Sequence, residues 1–217
     1  MELAAGLAPL LEDPNVGVLR ARPELRVLVS GWSASGKSVL ARHLAALLEC
    51  EYLCASNVLT TELGMESVDW IDERTRVEAL RSTEHERTLD DRLLHHLSES
   101  PRIVLDSWVA PFRSTVHDVA VWIECDLDSR IQNAIGPDGK RNYAAKRRVR
   151  DGLVAKDDDS VRRFKSAYGF VFGPDPNVFQ VMVDISDDIS AEISSWPNER
   201  LVVARKIVKA LANQLAG

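Results

Sequence analysis

The 217-residue sequence contains few cysteines and no motif that pairs them. Cys50, Cys54 and Cys125 are an odd number, stand in apolar or helical contexts and form no Cys-x-x-Cys pair. This pattern predicts reduced, buried thiols and argues against a disulfide framework. A zinc half-site at Cys50 and Cys54 is disfavoured because no second pair of His or Cys follows at ligand spacing.

The sequence also lacks a basic leader and a long apolar run. An acidic residue, Glu2, follows the first methionine, no basic stretch opens the chain, and prolines interrupt the apolar residues of the first 24 positions. We therefore expect neither a signal peptide nor a membrane span, and a cytoplasmic protein. The net charge of −6 argues against nucleic acid as a general partner.

The positive charge that is present is concentrated in residues 136–165. This segment holds ten Lys or Arg and five Asp, so it is positive although the chain is negative. Such a segment is typical of a solvated helix face with mixed charges. Beside a phosphate site it equally fits a mobile basic segment that closes over polyphosphate.

The most informative segment is LRVLVSGWSASGKS, residues 25–38. An apolar run typical of a buried strand passes directly into Gly31, Gly36, Lys37 and Ser38 at the spacing GxxxxGK[ST], and a helical apolar pattern follows. The glycines allow successive backbone N–H groups to surround an anion, the lysine reaches the outer phosphates and the serine hydroxyl faces Mg²⁺. The alternative, a Gly/Ser-rich turn with a chance lysine, is disfavoured by the strand before the motif and the helix after it.

Further along the chain, predicted strands alternate with predicted helices. We expect strands at 25–29, 52–54, 102–106, 119–123 and 178–184, separated by helices that include 126–135, 143–168 and 197–215. Strands that are apolar on both faces indicate a parallel sheet covered on both sides. The sequence thus predicts one α/β domain over residues 1–217, with a polar, helical excursion at 56–100.

Asp106 ends the predicted third strand, which is otherwise apolar. Ligands of parallel α/β sheets bind at the carboxyl ends of the strands, so this carboxylate is expected beside the phosphate loop. It is a candidate magnesium-side group, or a base if the acceptor is a hydroxyl. Capping of the following turn is the alternative.

Several blocks resemble the P-loop nucleoside-monophosphate kinases, and most closely their short cytidylate kinase-like branch. The blocks are GWSASGKSVLARHLAALL, VLDSWVAP, VWIECDLDSR, DDSVRRFKSAYGF and VFQVMVDISDD, and the resemblance extends over about residues 25–186. It implies a P-loop kinase-type five-stranded parallel sheet, with ATP and Mg²⁺ as cofactors. It also implies that 56–100 is the acceptor-binding excursion and 136–156 a lid.

The resemblance assigns roles to individual residues. Lys37, Asp106 and Arg163 are expected to be catalytic, with Arg163 on the transferring phosphate, and Ser38 and Asp106 are expected on the metal side. The residues expected to bind the nucleotide are Gly31, Trp32, Ser33, Ala34, Ser35, Gly36, Lys37 and Ser38 of the loop, together with Arg130 and Arg141.

The acceptor half departs from the family pattern. Asp106-Ser107-Trp108 stands where the family usually has Glu-Gly-Arg, so an arginine expected to clamp the acceptor phosphate is absent. Trp108 is a candidate for stacking on an aromatic acceptor or for simple packing. Asn133 and Pro137 occupy positions where the family often carries lid arginines, although Arg141, Arg147, Arg148 and Arg150 follow closely. Arg74, Arg76, Arg81 and Arg92 are candidates for an acceptor anion or surface charges.

Three functions are consistent with these residues. The leading hypothesis is an ATP- and Mg²⁺-dependent phosphotransferase acting on CMP or a related pyrimidine nucleotide. The alternatives are a small-molecule hydroxyl kinase with a rebuilt acceptor site and Asp106 as base, and a nucleotide-binding module without catalysis. The expected partner is a small-molecule or nucleotide acceptor, and the chain is expected to be a monomer or a homodimer.

Overall fold

The computed structural model describes residues 5–62, 83–135, 143–188 and 196–216. Its centre is a five-stranded parallel sheet with the order β2-β3-β1-β4-β5. The strands are β1 Leu25–Gly31, β2 Glu51–Cys54, β3 Arg102–Asp106, β4 Val119–Glu124 and β5 Val181–Asp184.

Helices connect these strands and cover them. The described α-helices are α1 Pro14–Arg20, α2 Lys37–Leu48, α3 Ala55–Glu62, α4 Thr83–Glu99, α5 Ala110–Arg113, α6 Leu127–Ile135, α7 Tyr143–Tyr168 and α8 Trp196–Ala216. Two 3-10 helices, Ala5–Glu12 and Ser186–Asp188, complete the described elements. None of the described helices is both long enough and apolar enough to cross a membrane.

The sheet buries both of its faces. On one face, side chains such as Val27, Val104 and Val121 pack with α2, α8 and the N-terminal helices. On the other face, Leu105 and Trp122 pack with α4, α5, the end of α7 and a cluster of aromatic rings. Each strand therefore needs apolar residues at successive positions, which is why no period of two is visible in the sequence. The predicted α/β class, with a parallel sheet covered on both sides, is confirmed.

Most predicted elements lie where the sequence indicates, and the differences have local causes. The last strand begins at Val181 rather than at residue 178, because the Gln180 side-chain oxygen accepts the hydrogen bond of the Ala120 amide at 2.7 Å in place of a backbone carbonyl. Helix α1 was not predicted, although Asp13 caps it by accepting a hydrogen bond from the Asn15 amide at 2.9 Å.

Candidate functional site

The phosphate loop connects β1 to α2 and has the backbone of an anion-binding turn. Ala34 and Gly36 both adopt left-handed backbone angles, with φ of 60° and 81°. Gly36 caps helix α2, which begins at Lys37. Left-handed residues within such a turn direct successive N–H groups into a concavity, and the positive end of the helix dipole adds to its attraction for anions.

Gly31 is required by the neighbouring strand. A Cβ atom added at Gly31 would lie 2.6 Å from the carbonyl oxygen of Ile123 in β4. Any side chain here would push β4 away or move the loop. The first glycine of the motif thus permits close contact with the sheet, and the second provides the turn.

Two serines of the loop are buried with unused hydrogen-bonding groups. The hydroxyls of Ser33 and Ser35 have no hydrogen-bond partner within the described structure, and their residues are 4% and 0% exposed. A buried polar group without a partner is costly, so it indicates a place where a ligand completes the structure. The loop's backbone shape, its unpaired hydroxyls and Lys37 fit a polyphosphate.

Asp106 lies where the strand order places it, at the carboxyl end of β3 beside the loop. It pairs in register with Val29 of β1 and with Cys54 of β2, and it is 2% exposed. The Cys54 thiol donates to Asp106 Oδ2 at 3.5 Å. Asp106 is buried and yet lines the cavity described next, as do Lys37 and Ser38 at the end of the phosphate loop.

A cavity of about 240 Å³ lies in front of the loop, and six predicted site residues line it together: Ser33, Ala34, Lys37, Ser38, Asp106 and Arg163. Ser38 and Asp106 offer the oxygen ligands that Mg²⁺ prefers. The remaining wall is formed by residues of α3, α4, the segment after β3, and α7. Residues from the predicted donor and acceptor halves thus share a single cavity.

Trp108 is both a packing residue and part of the cavity wall. Its Nε1–H donates to the Gly31 carbonyl at 3.0 Å, and its ring packs against Phe164 and Phe172. The ammonium groups of Lys37 and Lys156 lie 5.4 Å and 5.3 Å from the ring centre. These distances are within the range of a cation–π interaction. Trp108 therefore helps to hold both the loop and the lysine that the loop presents.

Arg163 extends from α7 to a carboxylate on α4. Its Nη1 lies 2.5 Å from Glu86 Oε1, and the two side chains are 22% and 11% exposed. Both residues line the cavity. The ion pair joins α7, which begins within the predicted lid, to α4, which ends the predicted excursion.

A second contact joins the same two helices. The Tyr168 hydroxyl donates to Asp90 Oδ2 at 2.5 Å. Burial raises the pKa of Asp90 to about 6; Glu86 and Asp91 add to the rise, while the Tyr168 hydrogen bond and Arg113 oppose it. Asp90 also lines the cavity. It is consequently a carboxylate of intermediate acidity in the wall of the site.

Arg130 contacts the outer side of the phosphate loop. Its Nη1 donates to the Ser33 carbonyl at 3.2 Å and to Asp157 Oδ2 of α7 at 2.6 Å. Burial raises the pKa of Asp157, and Arg130 opposes this rise. In this structure, Arg130 thus supports the loop backbone and links it to α7.

The predicted lid residues are only partly described. Arg141, Arg74, Arg76 and Arg81 lie outside the described residues, as do positions 63–82 and 136–142 of the predicted excursion and lid. Arg147 and Arg150 line a separate groove between α6 and α7. Arg92 is on the exposed side of α4.

Three charged residues of the cavity lining were not predicted as site residues by the sequence analysis: Glu86, Asp90 and Lys156, the last of which ends the predicted lid. Glu86 and Asp90 flank Leu89, which belongs to the buried Leu89, Leu93, Leu97 stripe of α4. The sequence did contain a signal for these two carboxylates, because they stand close to a leucine of the inward-facing stripe. Residues about one turn apart share a helix face, so Glu86 and Asp90 could have been expected to face the same way as Leu89.

Two curated proteins are similar to this chain in sequence. A cytidylate kinase of Sulfurisphaera tokodaii is 20% identical over 177 residues, which are 79% of this chain and 94% of that protein. A cytidylate kinase of Haloarcula marismortui is 26% identical over 162 residues, which are 73% of this chain and 79% of that protein. No protein-family model matches the chain.

Solved structures share the fold. A shikimate kinase of Acinetobacter baumannii in complex with shikimate has a TM-score of 0.52 and 16% identity, covering 91% of this chain and 97% of its own. An uncharacterised protein of Eubacterium ventriosum has a TM-score of 0.58 and 11% identity, covering 88% of this chain and 99% of its own. Together, the sequence relatives and the fold support a P-loop nucleoside-monophosphate or small-molecule kinase family, as the resemblance of the sequence blocks predicted.

Proposed function

We propose that this chain is an ATP- and Mg²⁺-dependent phosphotransferase of the P-loop kinase type, acting on a pyrimidine nucleoside monophosphate. The observation that carries the proposal is the cavity that Lys37, Ser38, Asp106 and Arg163 line together in front of the phosphate loop. Transfer of a phosphoryl group depends on positioning and on neutralisation of charge, and these residues provide both.

Each residue has a defined part in the proposed reaction. An oxygen of the acceptor phosphate forms a bond to the γ-phosphorus of ATP, the bond from that phosphorus to the β–γ bridging oxygen breaks, and ADP leaves with that electron pair. Lys37 and Arg163 balance the charge of the transferring group. Ser38 and Asp106 would hold Mg²⁺, which supplies charge neutralisation on the phosphates. The loop backbone fixes the β-phosphate.

The pyrimidine acceptor is supported by two independent features. Both sequence relatives described above are named cytidylate kinase. In addition, Leu89, Trp108, Val109 and Phe164 give the cavity apolar walls on which a flat ring can lie.

A second candidate is a kinase whose acceptor is a hydroxyl. Asp106 favours it, since this nearly buried carboxylate borders the same cavity as Lys37. A hydroxyl acceptor must lose a proton, and a carboxylate near the γ-phosphate is suited to take it.

Asp106→Asn distinguishes the two acceptors. For a nucleotide acceptor, the substitution is expected to weaken Mg²⁺ dependence and turnover together, because Asp106 acts only on the metal side. For a hydroxyl acceptor, it is expected to reduce turnover roughly 10²–10⁴-fold while the affinity for ATP·Mg²⁺ hardly changes. ADP release and a Mg²⁺ titration, measured on the same preparation, give both quantities.

Asp184→Asn is the matched control. Asp184 ends strand β5 as Asp106 ends β3, but it is exposed and accepts hydrogen bonds from Ser186. The control is expected to keep the wild-type rate and Mg²⁺ dependence. If Asp106→Asn also behaves as wild type in both measurements, Asp106 has no part in the site.

A further inference from the structure

We infer that Asn133 of helix α6 is a positioning residue of the phosphate loop, which holds Ala34 in a strained backbone conformation that the loop needs in order to bind phosphate. This inference rests on the proposed function only in that the loop binds polyphosphate, and it is independent of the acceptor. Its basis is the set of hydrogen bonds between α6 and the carbonyl groups of the loop.

The loop makes a tight turn at Ala34. The Ser35 amide donates to the Trp32 carbonyl at 3.3 Å, which closes a turn over residues 32–35. Ala34 is the third residue of this turn and has a φ of 60°, whereas Ser33, the second residue, does not have a positive φ. This is the pattern of a type II turn, in which the third residue is normally glycine. An alanine in this place is strained, because its Cβ atom disfavours left-handed backbone angles.

Two side chains of α6 hold the strained residue from both sides. Arg130 Nη1 donates to the Ser33 carbonyl at 3.2 Å, and Asn133 Nδ2 donates to the Ala34 carbonyl at 3.1 Å. These two carbonyls belong to the two peptide groups that flank the Ala34 Cα atom. Relaxation of Ala34 to a negative φ would rotate one peptide group against the other and break at least one of these hydrogen bonds. Helix α6 therefore opposes the relaxation that an alanine favours.

The conformation that α6 holds determines where an N–H group of the loop points. A trans peptide group is planar, with its carbonyl and its N–H on opposite sides. The bond from Arg130 to the Ser33 carbonyl thus directs the Ala34 N–H away from α6, and both loop residues line the cavity. An N–H on that side adds to the attraction for an anion. A flipped peptide group would present the Ser33 carbonyl oxygen instead, which repels phosphate.

Asn133 is the residue at which this role is best tested. A Cβ atom added at Gly36 would lie 3.8 Å from Asn133 Nδ2, so the amide lies beside both left-handed residues of the loop. Asn133 is uncharged, so its removal leaves no ion without a partner. Arg130 is less suitable, because it is also paired with Asp157 and its removal would disturb the contact of α6 with α7.

The test is a double-mutant cycle on the full-length chain, with the dissociation constant of ADP measured by calorimetric titration. Asn133→Ala is expected to weaken ADP binding roughly 5- to 30-fold, because Ala34 must then be forced into left-handed angles by the ligand alone. Glycine adopts positive φ as readily as negative φ. In the Ala34→Gly background, Asn133→Ala is therefore expected to weaken ADP binding by no more than about twofold.

Gln132→Ala is the matched control, since it removes the neighbouring side-chain amide of α6. Gln132 lines the groove that also contains Arg147 and Arg150, and not the cavity in front of the loop. The control is expected to leave the affinity for ADP unchanged in both backgrounds. A role of Asn133 in packing alone, or as a direct ligand of phosphate, would give the same loss of affinity with alanine and with glycine at position 34.

The outcomes separate this inference from the proposed function. A smaller loss in the Ala34→Gly background supports the positioning role. Equal losses in the two backgrounds, or no loss in Asn133→Ala, overturn that role and leave the kinase intact, since the wild type binds ADP. A wild type that does not bind ADP overturns the phosphate loop and the proposed function together. Asn133→Leu, which keeps the size of the side chain and removes the donor, replaces Asn133→Ala in the cycle if urea unfolding shows that the alanine variant is not folded.

Discussion

At the scale of the residue, Lys37 has two positional constraints. The start of helix α2 directs it towards the cavity, and the ring of Trp108 lies 5.4 Å from its ammonium group. Trp108 is fixed in turn by its hydrogen bond to the Gly31 carbonyl. The lysine is therefore held by the loop to which it belongs, which reduces the entropy lost when it binds phosphate.

Lys37→Ala is expected to abolish turnover and to weaken ATP binding strongly. The lysine neutralises charge on the transferring phosphoryl group, so its loss should cost on the order of 3–4 kcal/mol of transition-state stabilisation. Lys209→Ala is the control, because it removes the same charge at an exposed position on α8. Near wild-type ADP release by Lys37→Ala would show that the phosphate loop has been wrongly assigned.

Asp90 is expected to make stability depend on pH. Its pKa of about 6 exceeds that of an unfolded aspartate, so the folded state binds the proton more tightly. Its contribution to stability is fully present below pH 4 and is lost as the pH rises through 6. Asp90→Asn should therefore gain stability relative to wild type between pH 4 and pH 7.5.

Urea unfolding of both proteins across this pH range provides the measurement. Both proteins keep the charged and polar groups around Asp90, namely Glu86, Asp91, Arg113 and Tyr168, so the difference between them reports the carboxyl at position 90 together with its interactions with these groups. A constant difference between the two proteins from pH 4 to pH 7.5 would contradict the raised pKa.

Single residues also mark the limit of what the sequence could predict. Lys37, Ser38 and Asp106, which line the cavity together, were predicted as site residues because a local motif or a strand end identifies them. Glu86 and Asp90 were not, because their partners are 77 and 78 residues away on α7. Charged residues on a helix look alike in the sequence whether they face solvent or a distant cation, and only the packing of α4 on α7 distinguishes them.

At the scale of the element, α7 connects the predicted lid to the site. It begins at Tyr143, within the predicted lid of residues 136–156, and extends to Tyr168 beside Asp90. Along its length it contributes Asp157 to the loop support, Arg163 to the cavity lining and Tyr168 to the hydrogen bond with Asp90. A displacement at its start is thereby coupled to three parts of the site.

The basic segment is predicted to close over the nucleotide. Closure excludes water and brings arginines to phosphate, so ATP binding should slow amide exchange there. Hydrogen exchange with and without a non-hydrolysable ATP analogue would measure this across residues 138–150, with helix α8 as the internal reference. Unchanged protection across 138–150 would rule out a lid.

The Arg130–Asp157 ion pair is predicted to stabilise the contact of α6 with α7. The side chains are 8% and 15% exposed, so Asp157→Ala leaves a buried guanidinium without its carboxylate. We expect a loss of about 3–5 kcal/mol in the free energy of unfolding. Urea denaturation measures it.

The Arg147–Asp151 pair is the matched control on the same helix, with side chains 75% and 69% exposed. Asp151→Ala should cost less than about 0.5 kcal/mol. If the two variants lose the same free energy of unfolding, burial does not make the stability of the fold depend more on Asp157 than on the exposed Asp151.

At the scale of the whole molecule, the strand order determines where the chemistry lies. β1 and β3 are adjacent and parallel, so the loop after one and the aspartate ending the other meet at the same edge. This part of the architecture was predictable, because apolar strands and a local motif specify it. The start of β5 was not, since the Gln180 side chain takes the place of a backbone partner. A side-chain oxygen that takes the place of a backbone carbonyl leaves no periodic signal in the sequence.

The position of Trp108 has a consequence for observing the protein in solution. An indole that donates to the loop carbonyl and lies beside two ammonium groups experiences a local electric field that changes when phosphate charge arrives. Its emission should therefore report nucleotide binding without any attached dye. Trp122, fully buried in the sheet, provides a steady background signal. Trp32, which belongs to the loop itself and lies with its ring centre 5.5 Å from that of Trp122, would add to this signal, and Trp108→Phe would isolate the part that comes from Trp108. The native chain thus already contains its own optical sensor of the phosphate loop.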